Sequence, residues 1–156
     1  MTTSDKVEQK SSGEKEKTGL TVRISSFGYK MGKAPAANAL FDVRFLKNPY
    51  WVEHLRPLSG LDEPVQEYVM NQEAAVDFLE SLLDMLVRMI PRLEESNMNE
   101  FSIAFGCTGG QHRSATMVEL LARELSQRLP YLTIERVHRE LDGKASKAPH
   151  QEDGNE

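Results

Sequence analysis

The chain has 156 residues, with 19 basic and 24 acidic side chains, a net charge of −5 and one cysteine. Such a length suits a single domain, one cysteine excludes an internal disulfide and a cysteine-rich zinc site, and no apolar run is long enough to span a bilayer. The acidic balance excludes a general polyanion binder, so nucleic acid would need a local basic patch set against the mean field.

Residues 1–18 carry four lysines and four acids, interspersed with small polar residues. They are expected to form a disordered, solvated arm. The segment lacks the apolar stretch of a secretory leader, which with the lone cysteine points to a reducing, cytoplasmic compartment. The tail over 143–156 has the same character and is also expected to be disordered. That leaves 19–142 as the folded domain. Leu20 to Phe27 alternates apolar and polar residues and is rich in β-branched types, which predicts a strand. Gly28 to Pro35 holds two glycines, two lysines and a proline and reads as a loop. Ala39 to Phe45 is expected to be a second strand, with Asp42 and Arg44 on one face by the period of two. Pro49 ends it. Tyr50 and Trp51 are expected to pack on the core, the alternative being a stacking platform for a base. His54 is expected to be a solvated loop residue.

Helical pattern begins near Glu63, with Pro64 in the first turn. A long helix is predicted from Glu73 to Glu95, with one exposed stripe of Glu73, Asp77, Glu80, Asp84, Arg88 and Arg92. Pro91 is expected to kink or break it. Phe101 to Phe105 reads as a strand, Ala115 to Leu129 as a helix and Tyr131 to Val137 as a last strand. This βαβ unit should be parallel and right-handed. The fold class is therefore α/β: a small single domain with a mostly parallel sheet flanked by helices. Arg113, Arg123, Arg128, Arg136 and Arg139 are expected to form a solvated face paired with Glu119, Glu124, Glu135 and Glu140.

The segment that carries chemistry is Gly106-Cys107-Thr108-Gly109-Gly110-Gln111-His112-Arg113-Ser114. It leaves a buried strand and enters a helix. Glycines there let successive backbone N–H groups face one concavity, and the helix N-terminus favours an anion. Arg113 can fork two donors onto phosphate oxygens. Thr108 and Ser114 add hydroxyls, and His112 donates when protonated. Cys107 sits at the mouth, where the helix end and the arginine favour thiolate. A bare glycine turn with a buried cysteine is the plainer alternative.

The Cys107-x5-Arg113 spacing also matches the phosphate loop of cysteine-dependent phosphatases, in which the thiolate attacks phosphorus. Those enzymes need a general acid, for which Asp42 and Asp62 are the candidates, and they usually place histidine where this chain has Gly106. No Walker loop occurs, no spacing supports a metal, and no cofactor is called for.

Five segments in order, SFGYKMG (26–32), FDVRFLKNPYW (41–51), LRPLSGLDEPV (55–65), IAFGCTGGQHRS (103–114) and VHREL (137–141), resemble the C-terminal domain of the RapZ/YvcJ family, which includes bacterial RNase adapter proteins. The resemblance covers about 20–142. It implies an α/β domain that binds the amino-sugar phosphate glucosamine-6-phosphate and RNA, contacts regulatory proteins and self-associates. It places Cys107, Thr108, Gly109, Gly110, His112, Arg113 and Ser114 in an anion pocket flanked by Lys30, Asp42 and Arg44. In the family this domain follows a nucleotide-binding domain, and this chain is expected to be a stand-alone version. Lys47, Met31 and Ala115 depart from the family's usual proline, aromatic and valine. The family's RNA adapters end in a basic run, whereas this tail turns acidic after Lys147.

His138, in VHREL, is equally readable as a pocket residue or a strand cap. The expected function is a non-catalytic module that senses a phosphorylated small molecule, with Cys107 as a ligand-contacting thiol. Arg113→Ala is expected to abolish binding with the fold intact. A cysteine phosphatase and an RNA-binding adapter are the alternatives. Expected partners are the metabolite, with RNA, a regulatory protein or a second copy as further candidates, and no membrane.

Overall fold

The computed structural model describes residues 19–145. The arm expected over 1–18, and the tail beyond 145, lie outside the described residues. Four strands, β1 (Thr21–Gly28), β2 (Ala39–Asp42), β3 (Glu100–Cys107) and β4 (Thr133–His138), form one all-parallel sheet in the order β2-β3-β1-β4. The helices are α1 (Glu63–Met70), α2 (Glu73–Glu95), α3 (Arg113–Arg128) and α4 (Arg139–Ala145). A single 3-10 turn spans Pro49–Trp51. No helix among the described residues is long and apolar enough to cross a membrane.

The strand order dictates the layers. The steps β2 to β3 and β3 to β4 move the same way across the sheet, so right-handed crossovers place α1, α2 and α3 on one face. The step β1 to β2 moves the opposite way, and its connection crosses the other face. There Asn38 pins it to β3, donating its N–H to Ser102 Oγ at 3.0 Å and accepting the Ser102 N–H at 2.9 Å. The core lies on the helical face, where Val22, Ile24, Ile103 and Phe105 meet Met117 and Leu121 of α3 and Leu83 and Leu86 of α2. Each such side chain contributes about 1.5–3 kcal/mol by leaving water.

Three expectations change. The second strand stops at Asp42, not Phe45, because the chain turns there: Asp42 Oδ1 accepts the Arg44 N–H at 3.0 Å, a local bond that competes with the ladder. Arg44 thus meets Asp42 across a turn and not by strand alternation. Helix α2 runs through Pro91 to Glu95. Proline forfeits one helix bond, but Ile90 is fully buried and Leu93 partly so, and packing on both sides holds the backbone. Finally, a short helix, α4, follows β4 directly, where the sequence pattern predicts no helix. Its start is fixed from within, since Asp142 Oδ2 accepts the His138 N–H at 2.8 Å.

Candidate anion-binding site

All four strands end at one edge, with Gly28 level with Cys107, Asp42 with Gly106, and His138 with Ser26. In open parallel sheets the ligand crevice lies outside the carboxyl ends, where the connections diverge. Here that point is between β1 and β3. The loops that follow them are laced together: the Tyr29 N–H donates to the Cys107 carbonyl at 2.9 Å and the Lys30 N–H to the Thr108 carbonyl at 3.1 Å.

The glycines of this junction divide by what surrounds them. A Cβ on Gly28 would lie 2.6 Å from the Gly109 carbonyl carbon, and one on Gly106 would lie 2.5 Å from the Phe27 ring. Gly110 has φ +72° and a Cβ there would lie 2.5 Å from the Gly28 nitrogen, so both conformation and space demand glycine. Gly109 differs, since a Cβ on it would meet nothing within 4 Å. Gly28 and Gly110 let the backbones pack and Gly106 makes room for the Phe27 and Tyr29 rings, whereas Gly109 borders open space.

Arg113 is the floor of the junction. It is buried, and its guanidinium donates to the carbonyls of Arg44 and Leu46, each at 3.0 Å, and to Thr108 Oγ1 at 3.3 Å. Its buried Nε has no partner. Arg113 therefore holds the segment after β2 against the loop after β3. It is no solvated arginine, and removing it strikes the fold as well as any ligand. Cys107 is buried too, with its Sγ 3.1 Å from Ser114 Oγ. His112 caps α3 by position without a side-chain cap bond. Its Nε2 lies 3.2 Å from the Arg56 carbonyl, which can only accept, so Nε2 carries the hydrogen. Burial pushes its pKa below the usual histidine range, while the carbonyls of Arg56, Leu55 and Leu58 oppose this. The imidazole is thus favoured neutral.

The exposed rim comprises Thr108, Lys30, Asp42 and Arg44. Arg44 forks onto Asp42, with Nη2 2.6 Å from Oδ2 and Nε 2.9 Å from Oδ1. This hydrogen bonding holds the Asp42 carboxyl below the ordinary carboxylate range and raises Arg44 in turn. The Arg44 guanidinium lies 4.1 Å above the Tyr29 ring. Burial pushes the Tyr29 phenol upward, and the Asp42 charge adds to that. Arg44, Arg113 and Arg139 thus meet at the junction with two carboxylates, Asp42 and Glu140, while Lys30 is exposed in the loop after β1. No cluster of three metal-ligating side chains occurs among the described residues.

Other sequence assignments change with the structure. Tyr50 and Trp51 are 46% and 75% exposed, not packed on the core. Asn48 Oδ1 caps their turn, and the Arg56 guanidinium sits 5.0 Å over the Tyr50 ring. His138 is buried at the end of β4, with Nδ1 2.7 Å from Ser26 Oγ, and so links β4 to β1. Of the arginines expected on a solvated face, Arg136 pairs with Glu119 at 3.1 Å as anticipated. Arg139 instead reaches across the junction, donating to the carbonyl of Lys33 at 2.6 Å and to that of Gly28 at 3.3 Å. Glu140 accepts from Arg139 Nε at 2.9 Å and from the Gly28 N–H at 2.7 Å. Sequence reasoning missed Tyr29, Arg139 and Glu140 as parts of the site. The first lies in SFGYKMG and the others in VHREL, so the segments were visible but the roles were not.

Residues 20–142 match the RapZ C-terminal domain. The chain is 48% identical over 109 residues to a nucleotide-binding protein of Geobacillus thermodenitrificans, covering 70% of this chain and 37% of that one. It is 42% identical over 128 residues to a nucleotide-binding protein of Lactobacillus acidophilus, covering 82% and 43%. A nucleotide-binding protein of Tolumonas auensis is 44% identical over 119 residues, with 76% and 41% covered. The chain thus spans about two fifths of these relatives' length. It belongs to the RapZ C-terminal domain family.

Proposed function

We propose that this domain is a non-catalytic binding module for a phosphorylated small molecule, with an amino-sugar phosphate such as glucosamine-6-phosphate as the favoured ligand. The observation that carries this reading is the open backbone at Gly109, next to exposed Thr108 in a loop laced to Lys30 at the carboxyl edge of the sheet. A phosphate oxygen can approach that backbone closely, and the start of α3 adds partial positive charge. Arg44 is already posed as a bidentate fork, with Asp42 in the place an anion would take.

The phosphatase alternative loses its parts one by one. Cys107 is buried against Ser114 rather than presented at the mouth. The position before it cannot hold histidine, because the Phe27 and Tyr29 rings fill that space. Asp42 is held ionised by Arg44 and has no proton to donate. Asp62 accepts the Ser59 N–H at 2.8 Å and belongs to the start of α1. The RNA alternative gains exposed Tyr50 and Trp51 as stacking surfaces but must overcome the acidic net charge.

The test is a thermal-shift screen of the parent with glucosamine-6-phosphate, inorganic phosphate, a nucleoside monophosphate and a short single-stranded RNA. A ligand of the native state raises Tm by mass action, by about 2.7 kcal/mol of stability at a hundredfold excess over Kd. The sugar phosphate should give the largest shift, and RNA at physiological salt the smallest. Catalytic release of phosphate from an aryl phosphate by the parent, and not by Cys107→Ser, would replace the binding reading with the enzymatic one.

A further inference from the structure

A groove of about 560 Å³ lies away from the strand ends, between α1 and α3 with α2 beneath. Leu79 of α2 and Leu120 of α3 contribute its buried apolar lining. Leu61, which is 49% exposed, and Met70 extend that apolar surface outward. The α1 wall is one helical face, since Glu63, Gln66, Glu67 and Met70 follow the spacing i, i+3, i+4, i+7. Opposite stand Arg123 and Glu124 of α3. The rim thus carries three carboxylates against one guanidinium. None of these four charges has an ion-pair partner among the described residues.

We infer that this groove is a docking site for an amphipathic helix of a protein partner, with an apolar face flanked by lysine or arginine. A trough between two helices with an apolar lining is the form that accepts a helix by its i, i+3, i+4, i+7 anchors. The unpaired carboxylates on both walls select basic flanks, and their repulsion of acidic helices adds specificity. One end of the groove is connected through Gly60 to the helix that follows the candidate anion site. The Gly60 N–H donates to the Gln111 carbonyl at 2.7 Å, and a Cβ on Gly60 would lie 2.3 Å from the Thr116 nitrogen. The turn that ends in Leu61 is therefore packed on the first turn of α3, while the α3 lining of the groove begins about two turns past the loop, at Leu120.

The test uses the full chain and a fluorescein-labelled 14-residue peptide of leucine and lysine at helical spacing, with a leucine–glutamate peptide of equal length as control. The leucine–lysine peptide should bind saturably and the control should not. Glu63→Lys combined with Glu67→Lys should weaken binding roughly tenfold, as should Leu61→Asp, while melting stays like the parent's because all three side chains are exposed. Amide shifts in NMR should fall on α1 and α3. Absence of saturable binding, or binding indifferent to these substitutions, would overturn the inference. Concentration-dependent dimerisation abolished by the same substitutions would assign the groove to a second copy instead, and stoichiometric displacement of the peptide by spermidine would assign it to a small polycation.

Discussion

Helix α2 and the loop from Gly106 to Arg113 are both needed to build this domain, but they constrain sequence in different ways. The buried face of α2, with Leu79, Leu82, Leu83, Leu86 and Ile90, asks for apolar volume at helical spacing. Many side chains satisfy that. The loop asks for particular atoms. Gly110 must lack a Cβ because Gly28 and Glu140 occupy the space, and Arg113 must supply donors because two carbonyls point at it. Tolerance to substitution should therefore differ sharply between regions that are equally buried.

The largest effect should be at Gly110. Gly110→Ala forces an L residue to φ +72° and drives a methyl into the Gly28 backbone. Roughly 2–4 kcal/mol of stability should be lost, the sum of a left-handed penalty and overpacking. Leu86→Met in α2, a far larger change of shape, should cost less than about 1.5 kcal/mol. Urea unfolding of both variants breaks the comparison if Leu86→Met proves the more damaging.

Next comes Arg113→Met, which keeps bulk but leaves the carbonyls of Arg44 and Leu46 without their donor. An orphaned buried carbonyl costs about 1–3 kcal/mol. The variant should melt lower than the parent even with no ligand present, which sharpens the comparison by showing that a loop cation carries structure. Parent-like melting would return Arg113 to a purely ligand-binding role.

A smaller effect should follow pH through His112. Its folded pKa lies below the usual value near 6.5, so the unfolded chain takes up its proton first as the solution is acidified. Stability tied to His112 is complete above about pH 7 and declines as pH falls through the unfolded and then the folded value. Unfolding free energy measured between pH 7.5 and 5.5 should fall more steeply in the parent than in His112→Asn. Equal slopes would mean that the imidazole is not buried as described.

Much of this was legible in the sequence because it is local. The alternation of Thr21 to Phe27, the apolar arc of α2 and the glycine loop before α3 each announce themselves within a dozen residues. What could not be read depends on distant partners. The path of the chain after β2 is held by Arg113, whose guanidinium meets the Leu46 carbonyl 67 residues away. Arg139 has the sequence context of a surface charge because its acceptors, the carbonyls of Gly28 and Lys33, lie more than 100 residues away. The exposure of Trp51 was equally hidden, since a capped 3-10 turn that projects its ring has the same composition as one that folds it inward.

Gly109 is the one glycine of the junction whose missing side chain leaves open space, and the proposed ligand would lie against it. Gly109→Ala tests it directly, because the added methyl meets no neighbour in the folded chain. Replacing glycine at a compatible position stiffens the unfolded chain and raises stability by about 0.4–1 kcal/mol. Unliganded Tm should therefore stay level or rise slightly, while the shift that glucosamine-6-phosphate gives the parent should be lost. A variant that melts like the parent and keeps the full shift would contradict the claim, since the ligand would then not lie against this backbone.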